Sequence, residues 1–200
     1  MKKSLLVASV AALSLSASLA HADEAFGTEG RLSVNTSIPV LSWESTKPPT
    51  GDSESKTVVG PNLNTTGIAV NYWVTKDISL GGALQFSSGL LGKDSSGMTI
   101  APSVGYRYAM GDATLWPKVQ PYFASATVKQ TTGQNTTELK GSKFGIGIEV
   151  PYLWTRGAFF HGPALSVRMD LSSSQESGGQ SADGDKTTSV GIGYQLGGTF

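Results

Sequence analysis

Residues 187–200 read TTSVGIGYQLGGTF. Counted back in twos from Phe200, one face carries Gly198, Leu196, Tyr194, Ile192 and Val190. The other carries Thr199, Gly197, Gln195, Gly193, Gly191 and Ser189. Alternation with a period of two marks a β-strand, whose side chains point to opposite faces in turn. The pattern holds to the last residue, where a chain ordinarily frays. A strand held to its end needs a partner, and residues near 30–43 are the expected one.

The same alternation recurs along the chain. Strands are expected at about 30–43, 62–74, 78–87, 97–109, 114–128, 142–153 and 158–171, with the tail as the eighth. The gaps between them alternate in length. Polar stretches at 44–56, 88–96, 129–141 and 172–186 read as long loops. Thr75-Lys76-Asp77, Gly111-Asp112-Ala113 and Thr155-Arg156-Gly157 read as short turns. An up-and-down meander whose two ends face different compartments gives this rhythm, and membrane barrels have short periplasmic turns and longer outer loops.

The faces decide between a water-soluble barrel and a membrane one. A soluble barrel points its apolar face inward and its polar face to water. Here the face opposite the apolar residues is mostly small: Gly81, Ala83, Ser103, Gly105, Gly145, Gly147, Gly191 and Gly193. Small residues suit the cramped interior of eight strands, and the apolar face suits lipid. In hydrocarbon every backbone N–H and C=O must be paired, so the sheet must close on itself. Aromatic residues near the expected strand ends, among them Trp43, Tyr72, Trp73, Trp116, Tyr152, Trp154, Phe159 and Phe160, read as interfacial girdles.

Composition agrees. Charged residues are 15% and glycines number 25 of 200, against typical values of about 25% and ~7%. There is no cysteine, hence no disulfide framework or thiolate metal site. No basic excess points to nucleic acid. Met1-Lys2-Lys3, the apolar run LLVASVAALSLSASL and Ala20-His21-Ala22 form a secretory signal peptide with its cleavage site. The expected division is a signal peptide at 1–22 and one barrel domain at 23–200, with 13 basic and 15 acidic residues left, a formal −2.

The chain thus resembles the small eight-stranded bacterial outer-membrane β-barrels, the OmpA/OmpX/OmpW-like class. The tail carries the most specific likeness: a terminal Phe200 preceded by Leu196, Tyr194 and Ile192 at alternate positions. In that class this signature implies recognition by the outer-membrane insertion machinery. Gly198 departs from it, standing where the class has an aromatic or large residue. The resemblance implies an all-β, antiparallel, up-and-down transmembrane barrel in the outer membrane, among outer-membrane lipids, as a monomer.

Several residues invite chemistry. Arg31, Arg107, Lys118, Lys143, Glu149, Arg168 and Asp170 fall on the inner face, where a charge must be paired. They are expected to form an interior network that plugs the barrel; the alternative is placement at the wet rim. His161 has no serine close behind it, unlike the lipid-modifying deacylase barrels, and lies toward the apolar side, so no catalytic role is assigned. Pro102 and Pro121 lie on neighbouring strands and cannot donate to the ladder; a lateral gap for an apolar ligand is one reading, a bulge the other. No cofactor, metal or nucleic acid is expected. The leading expectation is a non-enzymatic barrel with a structural, adhesive or envelope-interaction role through its loops. A narrow channel for small or apolar ligands comes second and a lipid A-modifying enzyme third.

Overall fold

The computed structural model describes residues 26–60, 67–88, 95–132 and 135–200, so the expected signal peptide lies outside the described residues. The described residues form twelve strands: β1 (Leu32–Lys47), β2 (Glu54–Val59), β3 (Gly67–Trp73), β4 (Ile78–Ser88), β5 (Ser95–Tyr106), β6 (Tyr108–Met110), β7 (Ala113–Leu115), β8 (Lys118–Thr132), β9 (Asn135–Arg156), β10 (Phe159–Ser177), β11 (Gln180–Asp183) and β12 (Lys186–Thr199). Eight of them close into a barrel in the order β1-β3-β4-β5-β8-β9-β10-β12 and back to β1, all antiparallel. The other four extend these staves. β7 keeps the register of β8 against β9 beyond a break at Trp116-Pro117, and β11 keeps that of β12 against β10.

The tail is the closing strand. Its ladder with β1 runs from Ser33 opposite Thr199 to Lys47 opposite Lys186, with one irregularity between Pro39 and Leu41. The main chain of Phe200 exchanges hydrogen bonds with that of Leu32, 2.8 and 3.1 Å long. Gly198 leaves a bare patch of wall, and the Phe200 ring covers it, 3.3 Å from where a Cβ on Gly198 would sit. The departure from the tail signature therefore has a steric partner two residues on.

The two faces fall as the alternation requires. Leu84, Ile100, Val119, Ile148, Leu165 and Ile192 point outward and are exposed, while Ser33, Asn35, Asn71, Ser79, Gln120 and Gln195 point inward and are buried. Burying one large apolar side chain is worth about 1.5–3 kcal/mol. A continuous outer belt of such residues finds its apolar surroundings only in lipid. The molecule is a transmembrane barrel turned inside out relative to a soluble one. The short turns, residues 26–31 and Phe200 share one end, tied by bonds such as Gly30 N to Trp73 O and Thr199 N to Ala158 O, each 2.8 Å.

The long connections differ from expectation. The stretches read as loops at 44–56, 129–141 and 172–186 are largely strand: β1 continues to Lys47, β8 to Thr132 and β10 to Ser177. Serine and threonine, read as loop residues, have ample β-propensity once a neighbouring strand offers a ladder. Cross-strand side-chain contacts add to it, with Ser142 and Ser174 hydroxyls 2.8 Å apart and Lys56 Nζ 3.0 Å from Glu44 Oε2. The reversal between β10 and β11 needs only Gly178-Gly179, both at positive φ as a tight hairpin turn requires.

The prolines interrupt ladders. The β5–β8 ladder pairs Ile100 with Phe123 and resumes at Val104 with Val119. Pro102 and Pro121 occupy the interval on opposing strands. Pro163 lies in a similar break of the β9–β10 ladder, which resumes where Ala164 pairs with Pro151.

Candidate functional site

The interior is the candidate site, and it has two halves. At the short-turn end five buried side chains pack together: Phe26, Trp73, Trp116, Leu153 and Phe160. The Phe26 ring stands 4.6–5.1 Å from those of Phe160, Trp73 and Trp116. Both indole N–H groups are satisfied, Trp73 Nε1 donating to Ser33 Oγ at 2.7 Å and Trp116 Nε1 to Ser79 Oγ at 3.0 Å. Glycine makes the space: a Cβ on Gly197 would collide with the Phe160 ring. Three of the aromatics read as girdle residues, Trp73, Trp116 and Phe160, are thus inside the barrel. Closeness to a strand end placed them at the interface, but side-chain parity points them inward. Phe26 carries no strand pattern, and only its aromatic character marks it.

Above the aromatic cluster the lumen is polar. Asn71 Nδ2 donates to Asn35 Oδ1 at 3.1 Å, and Ser103 Oγ donates to Asn71 Oδ1 at 3.2 Å. Lys118 and Glu149 face each other across the β8–β9 ladder. Their charged atoms are 2.6 Å apart, with side-chain exposures of 1% and 13%. Ser37 Oγ donates to the other Glu149 oxygen at 2.6 Å, and Lys118 Nζ lies 4.2 Å from the centre of the Trp116 ring. The lysine therefore joins the two halves.

The second ion pair is Lys143 with Asp170, also at 2.6 Å. Asp170 is saturated with donors: Tyr122 O–H at 2.5 Å and Thr187 N–H at 2.7 Å bind it as well. Gly145 leaves room for the Tyr122 ring, since a Cβ there would overlap it. Arg168 projects into the lumen and lines the same cavity as Glu149. Among the described residues it is in ion-pair contact with neither carboxylate. Arg107 lies at the short-turn end and donates to the Phe26 carbonyl at 2.5 Å. Arg31 stands just before β1 at the same end. The seven expected charges thus divide into two contact pairs, one lumen arginine and two arginines at the short-turn end.

His161 points outward into a belt of rings. Its Nδ1 is 2.6 Å from the Tyr194 hydroxyl, and its ring stacks on Phe159 at 5.5 Å. Among the described residues no carboxylate or serine hydroxyl is hydrogen-bonded to it, and no group of three or more His, Asp or Glu side chains could hold a metal ion. In the tail, Ile192 and Tyr194 are exposed on the outer face and Leu196 and Phe200 are half-buried.

No protein-family model matches the chain, and no curated protein is similar to it. Its backbone is similar to that of Ail, the attachment invasion locus protein of Yersinia pestis, at 12% identity and a TM-score of 0.46, covering 86% of this chain and 100% of that one. Neisserial surface protein A is similar at 10% identity and a TM-score of 0.49, covering 84% and 99%. The outer membrane protease OmpT from Escherichia coli is similar at 9% identity and a TM-score of 0.48, covering 86% and 97%.

Proposed function

We propose that this barrel is a non-enzymatic outer-membrane scaffold with a structural, adhesive or envelope-interaction role, exerted through the strand hairpins that rise from its open end. The observation that carries the reading is the occluded lumen. An aromatic cluster fills one end, and above it Glu149, paired with Lys118 on the next strand, reaches across the lumen to Ser37 on β1, which leaves no wide path for solute. The hairpins present solvated surface on a rigid frame, and binding surfaces are usually built there. The signal peptide at 1–22 would bring the chain across the inner membrane. The insertion machinery would read Ile192, Tyr194, Leu196 and Phe200, and the barrel would act as a monomer among outer-membrane lipids. Planar-bilayer recordings test the occlusion: the purified protein is expected to give no large, steady conductance, and such a conductance would overturn the reading.

A second reading, passage of a small apolar ligand through the wall, is favoured by the facing Pro102 and Pro121. Neither can donate to the other strand, and both lie on the lipid side of an interrupted ladder. Amide exchange separates the two readings. Rapid exchange at Ile100, Val104, Val119 and Phe123, whose amides bridge β5 and β8 on either side of the prolines, supports lateral opening in the folded barrel, and uniformly slow exchange removes it.

A further inference from the structure

The upper lumen holds a cavity of about 220 Å³, lined in part by Ser37, Gln85, Gln120, Glu149, Ser166 and Arg168. That is smaller than the roughly 300–1,000 Å³ of a drug-sized site, and it suits a group of a few heavy atoms. The charges around it do not cancel. Arg168 is the one cation that lines it, opposite Glu149 and Glu44, while Lys118, Lys143 and Asp170 lie beyond the lining; among the five inner charges Lys118, Lys143 and Arg168 exceed Glu149 and Asp170 by one. Each carboxylate is already bound by a lysine at 2.6 Å and by a further hydroxyl. Glu44, at the edge of the cavity, is engaged by Lys56 at 3.0 Å. Arg168 is therefore the cation that fronts the open space without a contact counter-ion among the described residues.

We propose that this cavity is an anion site, in which Arg168 receives a small oxyanion such as a phosphate group. A guanidinium offers a planar fork of donors that matches phosphate oxygens in a bidentate way. The Gln85 and Gln120 amides, from β4 and β8, line the same cavity and supply neutral donors. Gly147 lies beside the stem of Arg168, where a Cβ would stand 3.5 Å from its Cγ, so the side chain rests along β9 at van der Waals distance. The aromatic cluster closes the short-turn end, so the anion enters from the hairpin side. The cavity also reaches Val40, Leu41 and Ile192 at the irregular stretch of β1, so an anionic headgroup carried on an apolar chain is the other source.

The test uses the whole refolded barrel, ¹⁵N-labelled, in maltoside micelles at constant ionic strength. Inorganic phosphate is titrated in one arm and dihexanoyl phosphatidic acid in the other, and the side-chain amide resonances of Gln85 and Gln120, which wild type and both variants share, are followed by NMR. A saturable shift is expected, with affinity falling at least about tenfold in Arg168→Gln and less in Arg168→Lys, the loss of one charge-assisted bidentate contact. Tighter binding of phosphatidic acid than of phosphate assigns the anion to a lipid-like molecule, and equal or weaker binding assigns it to a free ion. Absence of a saturable shift with both probes, or unchanged affinity in Arg168→Gln, overturns the proposal. If Arg168→Gln does not fold, the titration of the wild-type resonances decides alone: a flat response overturns the site.

Discussion

The two ends of the lumen solve the same problem by opposite means. At the short-turn end the inner face is filled by rings that exclude water and satisfy their few polar atoms locally, Trp73 on Ser33 and Trp116 on Ser79. In the upper half it is filled by charges that each need a named partner. An aromatic cluster tolerates rearrangement, because dispersion contacts are numerous and individually small. A buried ion pair does not, because removing one member leaves the other desolvated and alone. Lys118 stands at the boundary, its ammonium against Glu149 on one side and the Trp116 ring on the other.

The contrast sets an order of expected effects. Lys118→Met should be the most damaging, lowering stability by about 3–5 kcal/mol because Glu149 is left buried and unpaired. Denaturant unfolding of the micelle-bound barrel, followed by tryptophan fluorescence, measures it. The double variant with Glu149→Leu should recover most of the loss, and a double variant as unstable as the single would show that the pair contributes more than mutual neutralisation. Phe26→Ala should cost about 3 kcal/mol, the low end for truncating a buried phenylalanine, since the segment carrying it lies outside the strands and can settle. The same unfolding curve reads it, and a change below about 1 kcal/mol would demote Phe26 from seal to bystander.

Smaller effects follow where the lattice of contacts is more forgiving. Gly197→Ala puts a methyl into the Phe160 ring and should cost about 1–3 kcal/mol by overpacking. Pairing it with Phe160→Leu should return part of that. Lys143→Gln should cost about 1 kcal/mol, because its side chain is 35% exposed and Asp170 keeps its Tyr122 and Thr187 donors. A loss as large as that at Lys118 would mean that the upper lumen is drier than its exposure indicates.

Most of the barrel was legible in the sequence, because a period of two fixes which face each residue takes, save at the irregular stretches of β1 and β10. Val190, Ile192 and Tyr194 face out and Gln195 and Gly197 face in, as the tail alone implied. The inner charges were legible as a set but not as pairs. Pairing depends on register, and register depends on the turn. Residues 129–141 read as a loop; in the structure Thr132 stands opposite Asn135, and the same register puts Lys118 opposite Glu149. Lys143 and Asp170 meet beside an irregularity in the β9–β10 ladder, which no alternation pattern encodes. The aromatic cluster was hidden for a different reason. Position along a strand and face of a strand gave conflicting answers for Trp73, and the face was the one that mattered.

The claim beneath all of this is that the apolar belt meets lipid and the sheet is closed. Fractionation of cells producing the full chain, followed by electrophoresis with and without boiling, addresses it directly. The expected result is recovery with the outer membrane and a band whose mobility changes on boiling, as a closed barrel resists the detergent until heated. Recovery as a soluble periplasmic protein with a single mobility would contradict it.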